Sequence, residues 1–263
     1  MRPQTHLRVA RAIGLGIGLG GCLLLAVSAW NVPVSGEHQP TPVLVELFTS
    51  EGCSTCPPAD AVLEQLDKLQ PVAGAQVIAL SEHVDYWNHD GWVDPFSSPL
   101  FSRRQEAYET RLGVPEPYTP QMVVDGQATF NGSDARQAVA VIRKAAEEPK
   151  LRVSIMPAPG GKSVTIQIQP EAQLPASRSA DVYTAIAEDS GSSNVLKGEN
   201  RGHVLRYVSI AKTLRKVGKL SKKSGWRAEL SVDAADSGQR LIAFVQENGT
   251  GKVLGSAMYR VPK

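Results

Sequence analysis

The chain has 263 residues, room for one large domain or two modest ones, and its 42% hydrophobic and 21% charged side chains exclude a disordered protein. Its formal charge of +2 comes from the N-terminus: without the first thirty residues, which carry Arg2, Arg8 and Arg11, the remainder has 25 basic against 26 acidic side chains. A nearly neutral body offers no basic surface for nucleic acid or for an anionic membrane.

The three arginines precede an apolar run, Ala12 to Trp30, that contains no charge, and Val27-Ser28-Ala29 places small residues at its end. This pattern predicts export, with residues 1–29 removed as a signal peptide. Two alternatives stay open: the run is long enough to remain as an anchor, and Leu19-Gly20-Gly21-Cys22 has the form of a site that would leave Cys22 lipidated. In each case the remainder is periplasmic or secreted, and it meets the membrane only through this segment if uncleaved or lipidated. Gly16-Ile17-Gly18-Leu19-Gly20-Gly21 matches a dinucleotide-binding pattern but lacks the preceding strand that pattern needs.

Residues 30–42 read as a linker punctuated by Pro33, Gly36, Pro40 and Pro42. Val43 to Phe48 is an apolar, β-branched run expected to form a buried strand, ending in the loop Thr49-Ser50-Glu51-Gly52. From Cys53 the period becomes helical, with Ala61, Leu63, Leu66 and Leu69 on one stripe, and Gln76 to Ser81 is a second buried strand. Strand, helix, strand predicts a right-handed βαβ unit with parallel strands. A polar and aromatic stretch, Glu82 to Pro99, leads into a predicted helix from Leu100 to Leu112. Gln121 to Val124 and Ala128 to Phe130 form a hairpin around Asp125-Gly126. Ser133-Asp134 caps a helix from Ala135 to Glu148.

Beyond Pro149-Lys150 the period is mostly two. Val153/Ile155, Val164/Ile166/Ile168, Val182/Ala185, His203–Thr213, Trp226–Val232, Leu241–Val245 and Val253–Tyr259 make about seven strands. The expected architecture is therefore an α/β domain over 43–148 followed by a separate antiparallel β-sandwich over 150–263. His203, among apolar strand residues, reads as structural.

The chemistry concentrates at Cys53 and Cys56. Apart from Cys22 these are the only cysteines, and a disulfide between them closes too small a loop to staple a fold. At the opening of a helix, free N–H groups and the helix dipole favour a thiolate, and the spacing puts both sulfurs on one face. The alternative, half of a zinc site, has no second CxxC to complete it.

With Phe48, Cys53-Ser54-Thr55-Cys56-Pro57 and Tyr118-Thr119-Pro120, the chain resembles the thioredoxin superfamily. Glu46 to Asp60, His83-Val84-Asp85-Tyr86-Trp87 and Tyr118 to Gly126 resemble more closely a family of secreted, thioredoxin-like bacterial proteins catalogued as a domain of unknown function. The resemblance implies a thioredoxin-like fold over 43–148, Cys53 and Cys56 as the redox pair, and Thr119-Pro120, usually cis, facing the sulfurs. It also makes Glu46 the counterpart of a buried acid that relays protons, although the loop to the CxxC is one residue longer here and the other reading of Glu46 is a merely paired strand carboxylate. Ser54-Thr55 matches neither the Gly-Pro of typical reductants nor the Pro-His of strong oxidants.

Glu82 to Asp94 gathers His83, Asp85, Tyr86, Trp87, His89, Trp92 and Asp94 at the carboxyl end of a strand, and reads either as a substrate-binding wall beside the CxxC or as an ordered loop whose aromatics cover the core of the domain. The expected function is thiol–disulfide exchange with exported protein thiols or a redox partner protein, requiring no cofactor or metal. Two other readings compete. One is a copper-binding assembly factor using the cysteines with His83 or His89, and the other is a secreted, non-catalytic binding module.

Overall fold

In the computed structural model, residues 39–89, 91–169, 180–220, 225–231, 237–248 and 250–262 are described. The export segment, Cys22 and most of the linker lie outside them.

The run Val43 to Phe48 becomes the middle of β1 (Thr41–Thr49), and Gln76 to Ser81 becomes β2 (Ala75–His83), paired with β1 in parallel register. Between them runs α1 (Pro57–Leu69). Both strands are apolar on both faces because both faces are covered. Val43, Val45 and Leu47 pack under α1 and under α3 (Ala135–Ala146), whereas Leu44, Ile78 and Leu80 pack against Phe101 of α2 (Pro99–Leu112). The helices start where their caps dictate: the Ser98 side chain accepts from Leu100 N–H, and Asp134 accepts from Gln137 N–H. The hairpin of β3 (Gln121–Val124) and β4 (Ala128–Asn131) turns at Asp125-Gly126, both at positive φ. Glycine is required there, since a Cβ would sit 2.3 Å from the Gly251 carbonyl oxygen.

Seven further strands follow: β5 (Val153–Pro157), β6 (Ser163–Ile168), β7 (Ala180–Asn194), β8 (Val204–Leu220), β9 (Trp226–Ser231), β10 (Gln239–Glu247) and β11 (Val253–Arg260). Their positions match the period-two reading, but their arrangement differs from a separate sandwich. β7, β8, β10 and β11 continue the first sheet, giving eight strands in the order β11-β10-β7-β8-β2-β1-β3-β4. The join is a parallel contact, Ser81 opposite Ile210, reinforced by the Ser209 hydroxyl donating to the Ala79 carbonyl at 2.6 Å. Only β5, β6 and β9 form a second, three-stranded antiparallel sheet, with Val164 and Ile166 packing on Leu241 and Ala243. The physical reason is a shared core. Leu44, Ile78 and Leu80 of the first half bury themselves against Ala185, Ala211, Ile242 and Phe244 of the second. Among the described residues the result is an α/β arrangement of three helices and two sheets, and residues 38–263 make one compact unit. Among the described residues no helix is long and apolar enough to cross a membrane.

Candidate functional site

Cys53 and Cys56 are joined as a disulfide, with Cα atoms 5.5 Å apart, immediately before α1. The helix begins later than the sequence suggests: Cys56 is its N-cap, and Cys53 lies in a turn in which its N–H donates to Ser50 O. Few free donors face the sulfurs. Pro57 and Pro58 have no N–H, and the N–H groups of Ala59 and Asp60 both donate to Cys56 O. Stabilisation of a thiolate therefore rests on the helix dipole more than on direct N–H bonds.

Cys53 is 1% exposed, while Ser54 and Thr55 beside it are open. The covering segment is the connection between β7 and β8. Asn200 donates its side-chain N–H groups to the carbonyls of Glu51 and Cys53 at 2.9 and 3.0 Å, and Ser54 N–H donates to the Glu199 carboxylate at 3.1 Å. The cover comes from nearly 150 residues away, so no local pattern announces it.

Thr119–Pro120 is a cis peptide bond. Pro120 is buried and accepts from Gly132 N–H. A Cβ at Gly132 would lie 2.6 Å from Leu47, 3.1 Å from Ala59 and 3.6 Å from Pro120, so the proline sits beside the first turn of α1. The Thr119 hydroxyl accepts from Trp87 Nε1 at 2.8 Å.

Glu46 is placed differently from the expectation. It alternates with Leu44 and Phe48 onto the α2 side of the sheet, away from α1, and both its oxygens are taken. Arg104 Nε and the Tyr108 hydroxyl each donate to it at 2.5 Å, within a buried group that includes Glu82 and Gln246. Burial, together with the charge of Glu46, pushes the Glu82 carboxyl well above the usual range. This group ties α2 to the sheet and does not face the disulfide. Strand alternation decides the point, since residue 46 and residue 47 face opposite ways.

The predicted wall divides into two parts. Tyr86 donates to Gln105, Asp85 accepts from the Ser102 hydroxyl, Trp87 reaches Thr119, and His89 stacks on Trp87; these line the side toward α2 and Pro120. His83, Trp92 and Asp94 turn inward on the α1 side instead. His83 Nδ1 is 2.7 Å from Asp94 Oδ2, the His83 ring meets Phe96 and Tyr207 edge-on, and Trp92 Nε1 donates to Glu51 Oε2 at 2.7 Å. Asp94 also accepts the backbone N–H groups of Glu51 and Phe96. Burial alone would lower the His83 pKa, but the hydrogen bond and charge of Asp94 outweigh it and raise it. Burial works against ionised Asp94 as well, yet His83 and the two N–H donors hold it below its ordinary value.

Glu51, Asp60 and Tyr207 complete this inward cluster, and sequence reasoning assigned no role to them. Burial pushes the Asp60 carboxyl up to about 7, against the pull of His83 and the Thr49 hydroxyl. Burial and then Asp94 raise Glu51. One signal was available: Asp60 stands four residues after Cys56, one helical turn on. Tyr207 belongs to β8 and had no such signal. No group of three or more His, Cys, Asp or Glu side chains among the described residues is arranged to hold a metal ion, so the copper reading finds no third ligand beside the cysteines.

Two solved structures share this arrangement of chain. Protein AGR_C_4864 from Agrobacterium tumefaciens aligns with a TM-score of 0.66 and 26% identity, over 85% of this chain and 96% of that one. HBP35 of Porphyromonas gingivalis aligns at 0.56 and 14% identity, over 84% and 76%, a likeness of fold alone. No curated protein matches the sequence. This chain itself has a mixed sheet with thioredoxin-like βαβ elements and a disulfide at a helix start. The model for DUF1223, described as a protein of unknown function, matches residues 44–246, and the chain belongs to that family.

Proposed function

We propose that this protein is an exported, thioredoxin-like thiol–disulfide oxidoreductase acting on the thiols of other exported polypeptides or of a redox partner protein. The observation that carries the reading is the Cys53–Cys56 disulfide itself. It joins the only two cysteines beyond residue 22, across three residues, at the start of a helix. Such a loop adds little stability, so the pair is kept for its reactivity. The neighbouring cis Thr119–Pro120 turn and the polar-aromatic loop support the reading.

Cys53 is the attacking sulfur, because it lies outside the helix beneath a cover of hydrogen bonds that can open. Cys56, at the helix cap with no exposure, resolves the mixed disulfide. The test is reduction of insulin by the mature chain in the presence of dithiothreitol, together with trapping of partners. Wild type should accelerate reduction, and Cys53→Ser should abolish it. Cys56→Ser should accumulate covalent adducts that Cys53→Ser does not. No acceleration of insulin reduction, or equal trapping by both variants, would overturn the reading.

A further inference from the structure

The connection between β7 and β8 closes on itself through its backbone. Gly202 N–H donates to Val195 O at 2.8 Å, Val195 N–H to His203 O at 3.0 Å, and Arg201 N–H to Gly198 O at 3.2 Å. It rests on the disulfide loop as one piece, through the bonds of Asn200 and Glu199 to the main chain of Glu51, Cys53 and Ser54. From Val195 to Arg206 the chain carries Lys197, Arg201 and Arg206 against the single carboxylate of Glu199, although the chain beyond residue 30 is close to neutral. The three cations are exposed, and among the described residues none of their side chains has an ion pair or hydrogen bond. Farther along the same two strands Lys212 and Lys216 are neutralised, by Glu188 at 2.8 Å and Asp181 at 2.6 Å.

The cations flank the way to the disulfide. Lys197 lies against the polar-aromatic loop, with its Cδ 3.8 Å from where a Cβ on Gly91 would stand. Arg206 lines a cleft of about 200 Å³ at the start of α1, together with Pro57, the residue after Cys56. Arg201 follows Asn200, which holds the carbonyl of Cys53. The acids nearest this approach are already committed: Glu199 accepts from Ser54 N–H, Glu64 pairs with Lys68, and Asp60 is buried.

We propose that this turn is a docking element selecting acidic polypeptides, whose cysteine reaches Cys53 while Asp or Glu side chains beside it are held by Lys197, Arg201 and Arg206. The proposal names a substrate class for the disulfide-exchange reading above and rests on it.

The argument is one of charge complementarity. Cys53 is covered by the turn, so any attacking group displaces the turn and meets its side chains first. The attacker is a thiolate, and fixed cations raise its local concentration, the more so when further negative charge accompanies it. Guanidinium groups also bind carboxylates in paired hydrogen bonds. The occupant is a polypeptide because Leu196 and Val204, 62% and 60% exposed, stand among the cations, an apolar surface that an extended chain covers and a small thiol does not. In the exchange the partner sulfur bonds to Cys53 Sγ, the bond to Cys56 breaks, and its electron pair stays on Cys56 Sγ, which is protonated from solvent. A second thiolate of the partner then attacks the partner sulfur and releases Cys53, so the partner is oxidised to a disulfide and the cysteine pair is reduced.

The test measures reduction of Cys53–Cys56 in the mature chain by mercaptopropionate, mercaptoethanol and cysteamine, and by two short peptides whose cysteine is flanked by aspartates or by lysines. Each rate is taken per thiolate and divided by the rate of the same thiol on hydroxyethyl disulfide, which removes differences in nucleophilicity. At about 10 mM ionic strength the anionic small thiol should exceed the cationic one about tenfold, and the acidic peptide should exceed the basic one by more; both ratios should approach one near about 0.5 M salt. Lys197→Glu, Arg201→Glu and Arg206→Glu combined should bring both ratios to one or below, whereas Lys197→Arg, Arg201→Lys and Arg206→Lys combined should keep them. Ratios near one for wild type at low salt, or ratios untouched by the triple reversal, overturn the proposal, and the first needs no variant to fold. A small-thiol ratio as large as the peptide ratio overturns the choice of a polypeptide. Insulin turnover without a charge ranking would sink the docking element and spare the oxidoreductase reading. A charge ranking without insulin turnover would do the opposite.

Discussion

Trp87 and Gly52 are in contact that leaves no room for a side chain: a Cβ on Gly52 would lie 2.9 Å from both the Cβ and the carbonyl oxygen of Trp87. Trp87 thus holds the residue before Cys53 with its backbone, and with its indole N–H it holds the Thr119 hydroxyl at the cis-proline turn. Gly52→Ala should force the loop apart and destabilise the protein by about 1–3 kcal/mol, measured by urea unfolding. An unchanged midpoint would show that the loop yields freely.

The two tryptophans of the polar-aromatic loop should behave differently. Trp87→Phe loses the bond to Thr119 and should raise the KM for a polypeptide substrate while leaving the pH dependence of stability in place. Trp92→Phe removes a donor from Glu51 inside the acidic cluster and should shift that dependence. Steady-state kinetics and urea unfolding of each variant across pH check both. Identical effects would mean that the loop works as one unit.

Asn200 is the clasp over Cys53, through its two bonds to the carbonyls of Glu51 and Cys53. Asn200→Ala should expose the disulfide and speed its reduction by glutathione severalfold, at a stability cost of about 1–3 kcal/mol for the carbonyls left without a donor. Stopped reduction followed by alkylation and mass spectrometry measures the rate. Equal rates would show that the β7–β8 connection does not gate access.

Stability should be greatest in mildly acidic solution. Asp60 has an ordinary pKa of 3.8 and titrates near 7 when folded, so between these values the folded chain holds a proton that the unfolded chain has released. Stability therefore falls as pH rises from about 4 to about 7, by up to about 4 kcal/mol, and is level above that. His83, raised by Asp94, acts in the same direction, since its contribution is present at low pH and lost as pH rises through its folded pKa. Asp94, held low, acts in the opposite direction and limits stability at more acidic pH. Urea unfolding at pH 5 to 8 should show the decline in wild type and a flatter line in Asp60→Asn. Parallel lines would contradict the raised pKa of Asp60.

A fragment ending near residue 149 should fail to fold alone. It would leave Leu44, Ile78, Leu80 and Phe101 without the strands that cover them, and β2 without its β8 neighbour. Soluble, cooperative unfolding of residues 31–149 would refute this.

The local elements were legible in the sequence. Apolar runs, helical stripes, the Asp134 cap, the Asp125-Gly126 turn and the seven later strands all follow from interactions between residues close in the chain, which periodicity and turn chemistry report directly. The cysteine pair and Thr119-Pro120 were legible too, because their residue types and spacing carry the resemblance. Pairing was not. A period of two says that a strand has one buried face, not which strand lies beside it, so the continuation of one sheet from β2 to β8 had no local signature. The acidic cluster has the same character. Alternation along β1 and β2 sends Glu46 and Glu82 to one side and Thr49 and His83 to the other, and only packing against α1, α2 and β8 determines which side holds the disulfide. Tertiary structure alone tied Glu46 to Arg104 and Tyr108, gathered Asp60 with Glu51, His83 and Asp94, and supplied Asn200 from the β7–β8 connection and Tyr207 from β8, because desolvation and hydrogen bonding act on neighbours in space.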